Sequence, residues 1–205
     1  MLMLKKVEHQ LPFPRLLKDN NNTARWLNRI EQNSLLRLFE RYGRTRDIAI
    51  IKILLNTGIR IKELCNLKWK HVILFNRKGD LEVNYGKGNK SRSIPLNKSA
   101  RIAFESLGYH ANVGSDNRIF LGQRGPLTPR GIQLMLKRVL NKSELSDISP
   151  HDLRHSFCKN LVDSGVSLEK IAILAGHESL DTTRIYCHPS YADLSEAVNR
   201  ISEEE

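Results

Sequence analysis

The stretch 46–56 constrains the fold of this chain more than any other. Ile48, Ile50, Ile51, Ile53, Leu54 and Leu55 make it apolar nearly all round. A helix with no polar face has nothing to offer water, so other elements must wrap it. Gly58 follows closely, where glycine ends helices in a left-handed cap. Arg60 then opens a short helix beside this buried neighbour. Glu63 stands one turn further on, and Leu64 and Leu67 anchor the underside.

The flanking pattern supplies the wrapping. A helix from Thr23 places Trp26, Leu27, Ile30, Leu35, Leu36 and Phe39 on one side. Across 71–96 the period changes to that of strands: 71–75, 81–85 and 92–96, with a turn at Lys78-Gly79-Asp80 and a tip at 86–90 that carries Lys87. Residues 97–109 read as a helix, 110–118 as a loop and 118–121 as a short extended piece. Pro129 starts a helix to about Asn141, with Ile132, Leu134, Leu136 and Val139 inward and Arg130, Lys137 and Arg138 outward. Helices over 150–164 and 168–175 follow, then a short one opening near Ser179 or Asp181.

This pattern predicts a mainly α fold with a small three-stranded antiparallel sheet, an α+β domain over 24–188. Residues 1–23, with Pro12, Pro14 and the polar run at 19–22, read as an arm or linker. Residues 189–205 read as a tail helix, with Tyr191, Leu194, Val198 and Ile201 as its apolar stripe.

Charge and cysteines narrow the function. Lys and Arg number 33 against 22 acids among 205 residues, a net +11 that suits a polyanionic partner. Cys65, Cys158 and Cys187 are odd in number and form no C-x-x-C. That argues for a reducing compartment and against a disulfide framework or a structural zinc. No run has the length of a membrane span, and Lys5, Lys6 and Glu8 interrupt any signal-like start. A cytoplasmic protein with no membrane partner is expected.

Chemistry concentrates in 151–186. His151 and Arg154 share a helix face, in a first turn where Ser149 is the N-cap and Pro150 costs no hydrogen bond. A helix N-terminus also welcomes phosphate. His177 follows Gly176, and Tyr186 lies nine residues beyond it. An arginine and two histidines thus surround a space for a dianionic phosphorus centre, with a tyrosine close enough to attack it. Asp152 and His155 read as structural. The run H-D-L-R-H mimics a zinc helix, but its acid is the short Asp, no third ligand is placed, and an arginine between the histidines repels a cation. G-K-G-N-K-S lacks the leading glycine of a P-loop, and no acid cluster suits two magnesium ions.

These residues resemble the catalytic end of the tyrosine recombinase (phage integrase) family. The H-x-x-R box is His151 to Arg154, and the later A-G-H and tyrosine are His177 and Tyr186. T-G-I-R-I-K-E-L at 57–64 holds the family's first arginine, and G-K-G-N-K-S-R-S-I-P-L at 86–96 its hairpin lysine. The boxes occur in the family's order. The resemblance implies strand cleavage by Tyr186 through a 3′-phosphotyrosine link, without ATP, metal or cofactor. It assigns Arg60 and Arg154 to the non-bridging oxygens, His177 as a further donor, His151 as proton acceptor, and Lys87 as acid for the leaving 5′-oxygen. Glu63 would orient His151 or Arg60.

Lys90, Arg92, Arg130, Lys137 and Arg138 are the candidate DNA contacts. The implied partners are double-stranded DNA and three further copies, a tetramer on two sites joined through the tail. The implied outcome is integration, excision or inversion of a DNA element. Relatives carry a separate N-terminal DNA-binding domain where this chain has a stub. Either it is a catalytic-domain fragment, or it belongs with short members such as the fimbrial phase-switch invertases. A type IB topoisomerase-like nicking-closing enzyme and a non-catalytic DNA-binding regulator are the alternatives. The second would need a broken site, and none of the seven catalytic positions is broken.

Overall fold

A computed structural model of the protein describes residues 24–84, 91–143, 145, 148–187 and 198–199. Its helices are α1 (Arg29–Tyr42), α2 (Thr45–Thr57), α3 (Ile61–Asn66), α4 (Lys98–Ser106), α5 (Tyr109–Asn112), α6 (Pro129–Leu140), α7 (Pro150–Asp163), α8 (Leu168–Ala175) and α9 (Asp181–Arg184). Strands β1 (Val72–Phe75), β2 (Lys78–Asn84) and β3 (Ser91–Pro95) form an antiparallel sheet in that order. β4 (Leu121–Gly122) and β5 (Gly125–Pro126) make a small second hairpin. The mainly helical fold with one three-stranded sheet is the one expected.

Helix α2 is the axis. Ile50, Ile51, Ile53 and Leu54 are fully buried, and α1, α4 and α7 lie against it. Each such side chain contributes on the order of 1.5–3 kcal/mol by leaving water. One charge goes inside with them: Asp47 is fully buried, and Arg46 and Arg138 neutralise it at 2.7 and 2.9 Å. That pair ties α6 to α2. Gly58 ends α2 at φ 60°, its N–H donating to the Leu54 carbonyl at 3.1 Å.

The structure differs from the sequence reading at several points. Helix α1 starts at Arg29 because Asn28 and Glu31 form a reciprocal capping box. Ile30 is therefore on the outside, 75% exposed. Leu27 is buried ahead of the helix, its N–H donating to Ser156 Oγ at 2.8 Å. On α6 the inward stripe is Ile132, Met135, Leu136, Val139 and Leu140, which leaves Leu134 exposed. The first hairpin turns at Asn76-Arg77, with Asn76 at φ 34°, so Lys78-Gly79-Asp80 already belongs to β2. Gly108 breaks α4 from α5, which occupies part of the expected 110–118 loop.

The arm at 1–23 and the hairpin tip at 86–90 lie outside the described residues. So does the tail stripe apart from Val198, which is exposed. Among the described residues no helix is long and apolar enough to cross a membrane, and no group of three His, Cys, Asp or Glu is placed to hold a metal.

Candidate active site

Two arginines are aimed by two helix ends. Arg154 points inward from α7, 6% exposed, and donates Nη1 to the Gly58 carbonyl at 2.5 Å. Arg60 is the N-cap residue of α3 and donates Nη2 to the Gly176 carbonyl at 2.7 Å. Gly58 caps α2 and Gly176 caps α8, both in the left-handed conformation. The C-terminal end of a helix carries partial negative charge, so each carbonyl is a natural seat for a guanidinium.

Glu63 joins the arginines into a network. Its carboxylate accepts the Arg60 backbone N–H at 2.7 Å and Arg60 Nη1 at 3.2 Å. It also accepts Arg92 Nη1 at 3.0 Å and Nη2 at 2.8 Å. Burial works to raise the Glu63 carboxyl, but the Arg92 bond, the Arg60 N–H and the two charges outweigh it and hold it below the usual range. Of its two expected targets, Glu63 bonds Arg60. Arg92 does not reach outward to DNA as expected. It is 8% exposed and forms part of this network.

Helix α7 begins with Ser149 as N-cap, as expected, and Asp152 completes a capping box with it. The Tyr186 ring packs between α7 and α8 against Phe157, Cys158, Ile171 and Ala175, and is 1% exposed. His177 stacks near it with centroids 6.4 Å apart and planes at 16°. Thr183 Oγ1, 2.8 Å from His177 Nδ1, fixes that ring.

The Tyr186 hydroxyl lies 2.5 Å from Nδ1 of His155, not at His151, which is exposed on the first turn of α7. His155, expected as a structural residue, holds this position instead. Spacing alone could not choose between the two, because residues four apart lie on overlapping helix faces. Burial, and then the neighbouring Cys158 thiol, push the Tyr186 hydroxyl well above its ordinary pKa. Burial also lowers His155, with His151 and Arg154 adding to it. His155 is thus neutral at pH 7, with a ring nitrogen able to accept a proton.

Burial, followed by the charges of Arg154 and Arg60, lowers His177 to about 4. An unfolded histidine takes a proton near its ordinary value, whereas the folded one resists until about pH 4. Stability is therefore present above the ordinary value and is lost as pH falls through this window. The expected cost is on the order of 2 kcal/mol between pH 7 and pH 4. Urea melts across that range should show a shallower pH slope for His177→Gln than for the wild type. Superimposable slopes would refute the assignment.

Of the remaining candidates, Lys87 and Lys90 lie outside the described residues. Arg130, Lys137 and Arg138 are exposed on α6. Arg130 and Arg138 line a groove of about 620 Å³ with Arg44, Arg46 and Arg124. Those three were not anticipated. Arg44 and Arg46 come from the start of α2 and Arg124 from the turn between β4 and β5, and only the fold gathers them beside α6.

Comparison with known proteins places this geometry. The pattern of the phage integrase family matches residues 25–193. The tyrosine recombinase XerC of Bacillus subtilis is 33% identical over 205 residues, covering 92% of this chain and 66% of that protein. In general the chain spans about half the length of the curated relatives it matches. The crystal structure of the XerA recombinase is similar with a TM-score of 0.72 and 29% identity, over 85% of this chain and 64% of that one. The XerH site-specific recombinase, bound to palindromic difH substrate in a post-cleavage complex, gives 0.73 and 29% over 90% and 55% of the two chains.

Proposed function

Since the chain belongs to the phage integrase family, we propose that it is a site-specific DNA recombinase that cleaves and rejoins strands through Tyr186. The observation that carries this reading is the Tyr186 hydroxyl against His155 Nδ1, beside two arginines aimed by glycine carbonyls. In the proposed step the phenolic oxygen bonds to the scissile phosphorus and the bond to the 5′-oxygen breaks. The phenol proton passes to His155, which takes the place first expected of His151. The leaving oxygen takes a proton from Lys87.

Arg60 and Arg154 neutralise the charge that builds on the non-bridging oxygens, and His177 adds a donor. Pre-aimed donors of this kind are typically worth about 3–4 kcal/mol each. Because Tyr186 is nearly fully buried, the segment that carries it opens toward the DNA before attack. Double-stranded DNA is the partner, gripped by α6 and the arginine groove. Assembly is a tetramer on two sites through the tail, acting on chromosomal or mobile-element DNA in the cytoplasm.

The test is a nicked suicide duplex incubated in EDTA and run on a denaturing gel. Wild-type protein should form a covalent band whose modified peptide contains Tyr186. Transfer of that strand to a second duplex separates a recombinase from a topoisomerase-like enzyme. Absence of any adduct would leave the non-catalytic DNA-binding reading in its place.

A further inference from the structure

Three parts of the site meet at the guanidinium of Arg92. From β3 it donates Nε to the Leu174 carbonyl at 2.9 Å, in the last turn of α8. Its two terminal nitrogens fork onto both oxygens of Glu63. Glu63 holds the backbone and side chain of Arg60, and Arg60 returns to Gly176, two residues past Leu174. The loop of bonds is closed: β3 to α3, α3 to the end of α8, and back to β3. His177 follows Gly176 directly, so the same end of α8 presents it.

We propose that Arg92 is a positioning residue for strand cleavage: through Glu63 it sets Arg60 against the scissile phosphate, and through Leu174 it fixes the end of α8 that carries Gly176 and His177. This rests on the recombinase reading above. The physical reason is competition for one carboxylate. Arg92 meets Glu63 with a bidentate fork at 2.8 and 3.0 Å, while the Arg60 side chain meets it at 3.2 Å. Without Arg92, the half-buried Glu63 carboxylate would be satisfied chiefly by Arg60. That would draw the guanidinium onto Glu63 and spend its charge there. Lysine cannot restore the arrangement, because it is a point charge without a planar fork.

The experiment compares Arg92→Gln and Arg92→Lys with wild type on two suicide duplexes, one with an ordinary scissile phosphate and one with a methylphosphonate. The methyl group removes one anionic oxygen, so cleavage depends less on a correctly set cation. On the phosphodiester, Arg92→Gln should cleave about 100-fold more slowly, with DNA affinity within about 3-fold of wild type. Arg92→Lys should recover no more than about 10-fold of that loss. On the methylphosphonate the Arg92→Gln deficit should shrink to under about 10-fold.

Wild-type rates for Arg92→Gln would overturn the proposal. Equal losses on both substrates would also overturn it, since a merely structural defect does not distinguish them. If Arg92→Gln fails to fold, Arg92→Lys carries the same two-substrate comparison. A wild-type protein that forms no adduct would instead remove the functional reading, and this inference with it.

Discussion

Tyr186→Phe is expected to fold, to bind DNA, and to give no covalent product. The ring keeps its place among Phe157, Cys158, Ile171 and Ala175, so packing is preserved. Only the hydroxyl is lost. Its partner, His155, is half-buried, so water can replace the missing bond, and stability should change by no more than about 1 kcal/mol. The effect on chemistry is of another order. Removing the nucleophile from a covalent enzyme costs about 10⁴-fold or more, beyond the reach of a gel assay. Single-turnover time courses on the suicide duplex, paired with a thermal melt and a DNA titration, measure all three. A covalent band from the Phe variant would show that another side chain attacks. Tyr191 would be the next to test.

Much of the site was legible because local rules carried it. The apolar run at 48–55 required a wrapped helix, and the glycine after it required a stop. Together these fixed where Arg60 begins. Ser149 and Pro150 announced the start of α7, and with it the face that bears Arg154. The misreadings each have a physical source. Arg92 was assigned to DNA by its charge, yet the period of its own strand said otherwise. Residues 92, 94 and 96 alternate to one face, and Ile94 and Leu96 are buried there. The signal was available, and the arginine follows its apolar neighbours inward because the half-buried Glu63 carboxylate receives it.

His155 is a different case. His151 and His155 lie on the same helix, and only the docking of 181–187 onto α7 decides which one meets the tyrosine. No local pattern encodes that choice. The groove that gathers Arg44, Arg46, Arg124, Arg130 and Arg138 is likewise made by tertiary packing alone.

Gly58 is where fold and chemistry are least separable, and Gly58→Ala should damage both. The residue sits at φ +60°, and an added Cβ would lie 2.2 Å from Phe157 Cδ1 and within 2.9 Å of two further ring carbons. The left-handed conformation costs a non-glycine residue about 1–2 kcal/mol. The collision adds an overpacking cost of about 1–3 kcal/mol. The expected loss is about 3 kcal/mol, roughly 10 °C in Tm for a domain of this size. Gly165→Ala is the control. Gly165 has φ +74° with nothing within 4 Å of its Cβ, so it should lose only the backbone part, about 1 kcal/mol.

The further consequence belongs to the active site. The carbonyl that seats Arg154 is that of Gly58 itself, and Phe157 lies on the same helix as Arg154. Relieving the collision moves one or the other. A displacement near 1 Å in a pre-aimed group can cost about 100-fold in rate. Gly58→Ala protein that remains folded at low temperature should therefore cleave about 100-fold more slowly, while folded Gly165→Ala cleaves normally. Matched melting temperatures for the two variants would show that Phe157 yields freely. Normal cleavage by folded Gly58→Ala would show that Arg154 does not depend on this carbonyl for its aim.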